Sequence, residues 1–230
     1  RALILSAAIL GVSSFGASRA EAALATDFGP EVAAAQPANG FIGKLNVAPL
    51  HATEGANVTV SGEALPANQE FDLVWRTVKG SWKAANGEYH GRDYAPVGYR
   101  IARVKTDAAG KFAASFIVPD DFGFQHDIVI QQGTKLFTQA GFSVDMTMKV
   151  TPENGPPGTP ITFDIKGIGF RELENSWMLV YDNNFTGWIS SVSTHGSAHF
   201  TIPATGPTGT HVLQLIHGEF TCTAMNPQQN

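Results

Sequence analysis

The octet HDIVIQQG at residues 126–133 recurs near the other end of the chain as HVLQLIHG at residues 211–218. Both octets begin with His, carry apolar residues at alternate positions and end with Gly. Alternation of this kind is typical of a strand that turns one face to a core, and a closing glycine suits a hairpin turn. The sequence therefore predicts that the same strand occurs twice.

The segments that precede the two octets also match, in the same order. LNVAPLHATEGANVTVSGEAL (45–65) corresponds to MKVTPENGPPGTPITFDIKGIGF (148–170), FDLVWRTVKGSW (71–82) to WMLVYDNNFTGW (177–188), and FIVP (116–119) to FTIP (200–203). Units of this length can each bury a core, unlike the shorter repeats of solenoids. We therefore expect two copies of one domain, at residues 44–145 and 146–230.

Within residues 44–145, short alternating stretches are separated by turn residues. Seven such stretches in about 100 residues are the number and spacing of an immunoglobulin-like sandwich. The stretches lie at 45–49, 56–62, 70–78, 99–107, 110–119, 126–133 and 135–144. The predicted fold class is all-β, with two tandem immunoglobulin-like β-sandwich domains preceded by a signal peptide and a linker. The predicted cores contain Leu73, Trp75, Phe116, Ile128 and Ile130 in the first domain, and Leu179, Tyr181, Phe200, Leu213 and Leu215 in the second.

The chain begins with a basic residue, an apolar run and an Ala-x-Ala sequence at residues 20–22. This order predicts a secretory signal peptide over residues 1–22, clipped at its N-terminus, and a secreted or cell-surface protein. The alternative is a short buried helix. The apolar run is shorter than the roughly 20 residues that span a bilayer, so we expect no transmembrane span in the mature chain. Residues 23–43, which are rich in Ala with scattered Gly and Pro, are predicted to be a flexible leader.

The pattern V-x-P-x-x-G-x-x-G-T-x-I-T-x-x-x-x-G-x-G-F, from Val150 to Phe170, resembles the opening strands of IPT/TIG-type immunoglobulin-like domains. Residues 196–218 are similar to the closing strands of that family. The resemblance covers residues 146–219 well and 44–144 loosely. It implies a fold and a binding or structural role, and no catalytic residues.

The composition argues against several classes of function. A net charge of −5 and a pI of about 5.8 supply no basic field for nucleic acid. Residues 23–230 contain no nucleophile elbow, zinc-protease helix, P-loop or dinucleotide fingerprint, so no enzymatic activity is predicted. The single cysteine, Cys222, leaves pairing beyond the given sequence, a free thiol or a metal ligand open.

Histidines in the second domain offer a candidate metal site. His195 and His199 would share one strand face, as would His211 and His217. If these strands lie close together, the imidazoles could bind Zn or Cu, with Cys222 nearby. The alternative is that the four side chains are exposed strand and loop residues, and no cofactor is predicted on that interpretation.

An aromatic insertion at residues 83–97 offers a candidate binding site. We expect a long loop here, and long loops on a rigid sandwich often carry function. Flat aromatic faces beside polar groups suit sugar rings or a protein partner. The alternative is that the rings only cover a sheet edge. The candidate ligand-binding residues are Trp82, Tyr89, His90, Arg92, Tyr94 and Tyr99.

These observations predict an exported, non-catalytic interaction module with an adhesion or structural role. Its partner would be a cell-surface or extracellular protein or a polysaccharide. Two alternatives stay open: a carbohydrate-binding accessory region of a longer secreted enzyme, and a metal-binding extracellular protein. The oligomeric state is unknown from the sequence.

Overall fold

The computed structural model describes residues 28–37 and 40–218, and within them the protein is all-β. The predicted signal peptide and Cys222 lie outside these residues. No helix in the described ranges is long and apolar enough to cross a membrane. The strands are β1 Glu31–Val32, β2 Gln36–Pro37, β3 Lys44–Ala48, β4 His51–Ala52, β5 Asn57–Glu63, β6 Glu70–Ala85, β7 Glu88–Lys105, β8 Phe112–Ile117, β9 Phe124–Gln132, β10 Lys135–Val144, β11 Thr147–Thr151, β12 Pro160–Lys166, β13 Trp177–Tyr181, β14 Asn184–Ile189, β15 Ala198–Pro203 and β16 Leu213–His217.

Residues 44–145, called the first half below, form two sheets across a shared core, and residues 28–37 add β1 and β2 to one of them. One sheet has the order β3-β5-β8, and the other has the order β1-β7-β6-β9-β10-β2, with β4 also paired to β10. All seven stretches predicted from the alternating pattern are strands here. The core is built from alternate residues of both sheets, including fully buried Val58, Leu73, Trp75 and Ile128. The five core residues predicted in this half are all buried.

Residues 146–218, called the second half, repeat this strand order in two three-stranded sheets. The order β11-β12-β15 matches β3-β5-β8, and β14-β13-β16 matches β7-β6-β9. A register shift follows Leu73 where β6 pairs with β7, and another follows Leu179 where β13 pairs with β14. The two halves therefore correspond in strand order and in the position of this irregularity.

The core of the second half is less completely enclosed than the core of the first. Leu179 is buried in it, and Tyr181 is buried beside it. Phe200, Leu213 and Leu215 are only partly buried where they pack against it. The second half has three-stranded sheets within the described residues, so fewer strands cover its core.

Residues 28–37, which fall within the predicted flexible leader, lie against the larger sheet of the first half. This segment crosses one face of the sheet formed by β7, β6, β9 and β10, with β1 antiparallel to β7 and β2 parallel to β10. Ala35 is fully buried against Val74, Val129 and Leu136. Ala35, one of the alanines that suggested a linker, is small enough to pack closely on this sheet face, whereas Ala33 and Ala34 are exposed.

The aromatic insertion is a β-hairpin extension and not the long loop that we expected. β6 and β7 stay paired from Glu70 with Lys105 as far as Ala85 with Glu88. The turn is Asn86-Gly87, with positive φ at both residues. Asn-Gly is the preferred pair for a two-residue hairpin turn, so the local sequence carried a signal for this hairpin.

Candidate functional site

The distal part of the β6–β7 hairpin exposes two aromatic rings side by side. Trp82 is 47% exposed and Tyr89 is 63% exposed, and their ring centroids are 5.8 Å apart. The guanidinium of Arg92, which is paired with Trp82 across the strands, lies 5.8 Å from the Trp82 ring. His90 is also exposed on this hairpin, with its Nε2 3.9 Å from Glu88. The structure thus brings four of the six predicted residues together on one projecting element.

Arg92 anchors this hairpin to the second half. Its guanidinium donates hydrogen bonds to the Asn175 side chain and, at 2.7 Å, to the Ser176 hydroxyl. These two residues immediately precede β13. The exposed rings are therefore carried by a hairpin that is fixed against a neighbouring sheet rather than by a free tip.

Tyr94 and Tyr99 have other surroundings. Tyr94 packs against Phe122 and Phe170, at centroid distances of 5.8 and 5.9 Å, where the two halves meet. Burial raises the pKa of its phenol. Tyr99 stacks on Phe28 at 4.3 Å, and burial raises the pKa of its phenol too. Tyr94 and Tyr99 thus take part in packing contacts, and the other four predicted residues are the ones that lie together on the distal hairpin.

The four histidines predicted to bind a metal do not converge. His199 is hydrogen-bonded to Asp164 on β12, and His211 to Asp182 in the turn between β13 and β14. His217 Nδ1 donates a hydrogen bond to the carbonyl oxygen of Leu173 at 2.7 Å. These three imidazoles have separate partners because His199 lies on β15, His211 precedes β16 and His217 ends β16.

His195 is the fourth member, and it lies in the turn before β15 rather than on a strand. Its Nδ1 is 3.9 Å from the buried carboxylate of Asp121 in the first half. Among the described residues, no group of three or more His, Cys, Asp or Glu side chains could hold a metal ion. The expected shared face of His195 and His199 is therefore corrected.

A buried polar cluster between the halves was not predicted from the sequence. Asp121 is fully buried and its Oδ2 accepts a hydrogen bond from Trp75 Nε1 at 2.7 Å. His126, the first residue of the opening octet, stacks on Trp75 at 4.5 Å and lies 3.9 Å from the same carboxylate. Burial raises the pKa of Asp121, and the neighbouring His126 opposes this effect.

Both ring nitrogens of His126 face main-chain carbonyl oxygens. Nδ1 lies 3.0 Å from the oxygen of Arg76, and Nε2 lies 2.7 Å from the oxygen of Phe122. Carbonyl oxygens only accept hydrogen bonds, so both contacts are satisfied when both nitrogens carry hydrogen.

A second ionisable cluster joins the halves at the surface. Lys166 at the end of β12 donates to Glu54 at 2.7 Å and to Asp120 at 2.8 Å. Burial raises the pKa of Glu54 to about 7. Asp120 also accepts a hydrogen bond from Ser197 at 3.1 Å, so this carboxylate receives two bonds from the second half.

Close backbone contacts seal the junction around these clusters. A Cβ at Gly123 would lie 1.7 Å from the carbonyl oxygen of Gly167, and one at Gly196 would lie 2.3 Å from that of Asp121. Acid and base groups buried under such contacts have no room for a substrate. The junction therefore holds the halves together, and the exposed hairpin is the stronger candidate site.

Comparison with known proteins does not assign the chain to a family. No protein family matches the sequence, and no curated protein matches it. Among solved structures, Salmonella alpha-2-macroglobulin reacted with methylamine is similar over 77% of this chain, with 11% identity and a TM-score of 0.34. The chain spans 14% of that protein's length.

Two further solved structures are similar over 77% of this chain. The Bacillus subtilis sporulation control protein Spo0M has 11% identity, 90% coverage of its own chain and a TM-score of 0.27. The human OSCAR ligand-binding domain has 13% identity, full coverage of its own chain and a TM-score of 0.24. TM-scores this low carry no functional argument, so the function must be argued from the hairpin and its surroundings.

Proposed function

We propose that this protein is an exported, non-catalytic interaction module made of two tandem immunoglobulin-like β-sandwich domains. The matching strand orders of the two halves, and the matching irregularity after Leu73 and Leu179, support the tandem arrangement. The apolar run and Ala-x-Ala sequence at the N-terminus support export. Its partner is an extracellular polysaccharide or a protein at a cell surface.

The observation that carries this proposal is the exposed aromatic pair on the extended hairpin. Trp82 and Tyr89 remain 47% and 63% exposed although the hairpin around them is held against the second half by Arg92. Large exposed aromatic side chains on a rigid element lose little conformational entropy on binding. This hairpin is therefore the contact surface of the proposed module.

The chemistry of the surface favours a sugar-rich partner. An indole and a phenol ring can stack on the apolar faces of sugar rings, while Arg92, His90 and the Tyr89 hydroxyl can form hydrogen bonds to hydroxyl groups. The same pair favours a second candidate function, the carbohydrate-binding accessory region of a longer secreted enzyme. The two candidates share one surface and differ in what the rest of the protein does.

A glycan array probed with purified residues 23–230 tests the surface. We expect binding that is lost in the W82A/Y89A double variant. The matched control is F185A, which truncates another exposed ring, 5.7 Å from Trp188 on the second half, and should bind as the wild type does. Glycan binding that survives W82A/Y89A, or a wild type that binds neither glycans nor cell surfaces, would contradict the proposal.

Export is tested separately by the N-terminus of the mature protein. Expression of the chain with an initiator methionine in a bacterial host should release a protein into the periplasm or medium that begins at Ala23. Intact-mass spectrometry measures this directly. A protein that stays inside the cell with residues 1–22 attached would overturn the export part of the proposal and leave the hairpin part standing.

A further inference from the structure

The outer edge of β7 in the first half is covered by an extended segment of the same chain. The carbonyl oxygen of Pro30 accepts a hydrogen bond from Arg100 N at 3.0 Å, and Glu31 pairs with Tyr99. Phe28, just before this contact, stacks on Tyr99 and packs against the core of the first half. Backbone hydrogen bonds and one large apolar anchor thus hold the segment on the edge.

The strand that corresponds to β7 in the second half is β14. Leu73 pairs with Ala102 on β7, and Leu179 pairs with Gly187 on β14. In both pairings the next residue along pairs after a one-residue skip on the outer strand. The skipped residue is Ile101 on β7 and Thr186 on β14, so these two residues correspond. The second half therefore carries Thr and Gly where the first half carries Ile and Ala.

These smaller residues border a cleft of about 570 Å³ between the edge strands β14 and β15. Leu179, Phe200 and Ile202 are among its apolar lining residues, and Trp188 borders it with 58% of its surface exposed. A Cβ added at Gly187 would meet no atom within 4 Å. In the first half, Ile101, which corresponds to Thr186, packs against the core, as does Phe28 on the segment that covers β7.

The edge of β14 beside this cleft is open in the described part of the chain. β14 is an end strand of its sheet, and no strand among residues 28–37 and 40–218 pairs with its outer side. An open edge offers main-chain N–H and C=O groups to an added strand. The edge and the cleft therefore offer backbone pairing and an apolar pocket, the two features that hold residues 28–32 on β7.

We propose that β14 and its cleft bind an extended peptide segment of a partner protein, whose large apolar side chain enters the cleft. The cleft lining contains no Asp, Glu, Lys or Arg, so the anchor is uncharged. Hydroxyl groups of Thr186, Ser190 and Thr194 lie among the lining residues and suit the polar backbone of such a segment. This site is separate from the Trp82–Tyr89 surface and does not depend on it.

The residues that cover β7 define the probe. A fluorescent peptide with the sequence of residues 26–37 contains the Phe-Gly-Pro-Glu-Val order seen at that edge. It is titrated into residues 23–230 and followed by anisotropy and by the fluorescence of Trp188, with W188F as the spectroscopic reference. We expect saturable binding with a blue shift of the Trp188 emission, and binding at least about tenfold weaker for a peptide with Phe28→Ala.

Substitutions that fill the cleft distinguish peptide binding at β14 from replacement of residues 28–32 by the peptide on β7. G187V places a side chain in the open space, and T186I enlarges the side chain at the adjacent position. Circular dichroism checks that each variant folds, and either variant alone is sufficient for the test. Each should weaken peptide binding about tenfold or more. The matched control is G141V on β10, where an added Cβ meets only the Gln125 side chain, at 3.4 Å, and binding should not change.

Three outcomes would overturn the proposal. Absence of peptide binding removes it directly. Equal binding to the wild type, G187V and T186I would show that the peptide replaces residues 28–32 on β7. Binding of a small apolar dye that G187V abolishes, without peptide binding, would assign the cleft to a small apolar molecule instead.

Discussion

Replacing Glu54 by glutamine should change how the stability of this protein depends on pH. Burial raises the pKa of Glu54 from 4.5 to about 7, against the opposing effect of the hydrogen bond from Lys166. Its side chain is only 9% exposed, so solvent screening reduces this effect little. The carboxyl group joins the two halves through Lys166, and its titration therefore acts on the junction.

The direction of this pH dependence follows from the number of protons that the folded and unfolded chains bind. Because the pKa is higher in the folded chain, the folded chain holds a proton that the unfolded chain releases between pH 4.5 and about 7. The free energy of unfolding therefore falls as pH rises through this window, and the loss is complete above the folded-state pKa. Each pKa unit is worth about 1.4 kcal/mol, so this displacement corresponds to roughly 3 kcal/mol.

The partners of Glu54 do not titrate in the same window. Burial acts to raise the pKa of Asp120, but hydrogen bonds with Lys166 and Glu54 outweigh burial and lower this pKa below its ordinary value of 3.8. Burial acts to lower the pKa of Lys166, but its hydrogen bonds with Asp120 and Glu54 outweigh burial and raise this pKa above 10.5. Glu54 is thus the member of this cluster that changes charge near neutral pH.

Urea unfolding at about pH 5 and about pH 8 measures the effect. Between the two conditions the wild type should lose about 2 kcal/mol more than E54Q, because part of the effect is already lost by pH 5 and solvent near the partly exposed Lys166 screens the rest. E63Q is the matched control, because Glu63 is 46% exposed and its 3.8 Å contact with Lys44 is a surface pair, so it should follow the wild type. Parallel pH profiles for the wild type and E54Q would refute the reasoning.

Three other substitutions test the junction and the second half. W75F removes the hydrogen bond to buried Asp121 and should lower the free energy of urea unfolding by about 1–3 kcal/mol; an unchanged value would show that the bond contributes nothing net. G123A drives a Cβ into the carbonyl oxygen of the glycine that follows β12 and should cost about 1–3 kcal/mol by the same measurement; wild-type stability would contradict the close contact. D182A removes the carboxylate whose hydrogen bond raises the pKa of His211, so NMR titration should find that pKa nearer its ordinary value, and no change would contradict the contact.

The repeated sequence predicted strands correctly because its apolar residues recur at every second position, which is the period of a β-strand. Alternating apolar residues predicted seven of the eight strands within residues 44–145, all but the two-residue β4, and Leu73, Trp75 and Ile128 lie in the core as expected. The second octet likewise contains β16. Burial of alternate residues is a local pattern, which a single sequence displays directly.

The candidate sites were predicted less well, since they depend on contacts between distant segments. The exposed pair Trp82 and Tyr89 lies together, and the Asn86-Gly87 turn would have identified its hairpin. The neighbouring sequence does not distinguish Trp82 and Tyr89 from Tyr94 and Tyr99, which pack against residues far away in sequence. The same limit explains why the histidines of the second half, expected on shared faces, have separate partners.

The sequence by itself determined that the chain is all-β and that its strands recur in order, because strand periodicity and turn residues are encoded over a few positions. Only the tertiary structure decided how the halves meet, with Asp121, His126 and His195 gathered at one buried junction. It also decided that residues 28–32 cover one sheet edge while the corresponding edge beside Gly187 stays open in the described chain. These features arise from side chains brought together across long stretches of sequence, where chain topology and packing volume, rather than local pattern, determine which groups touch.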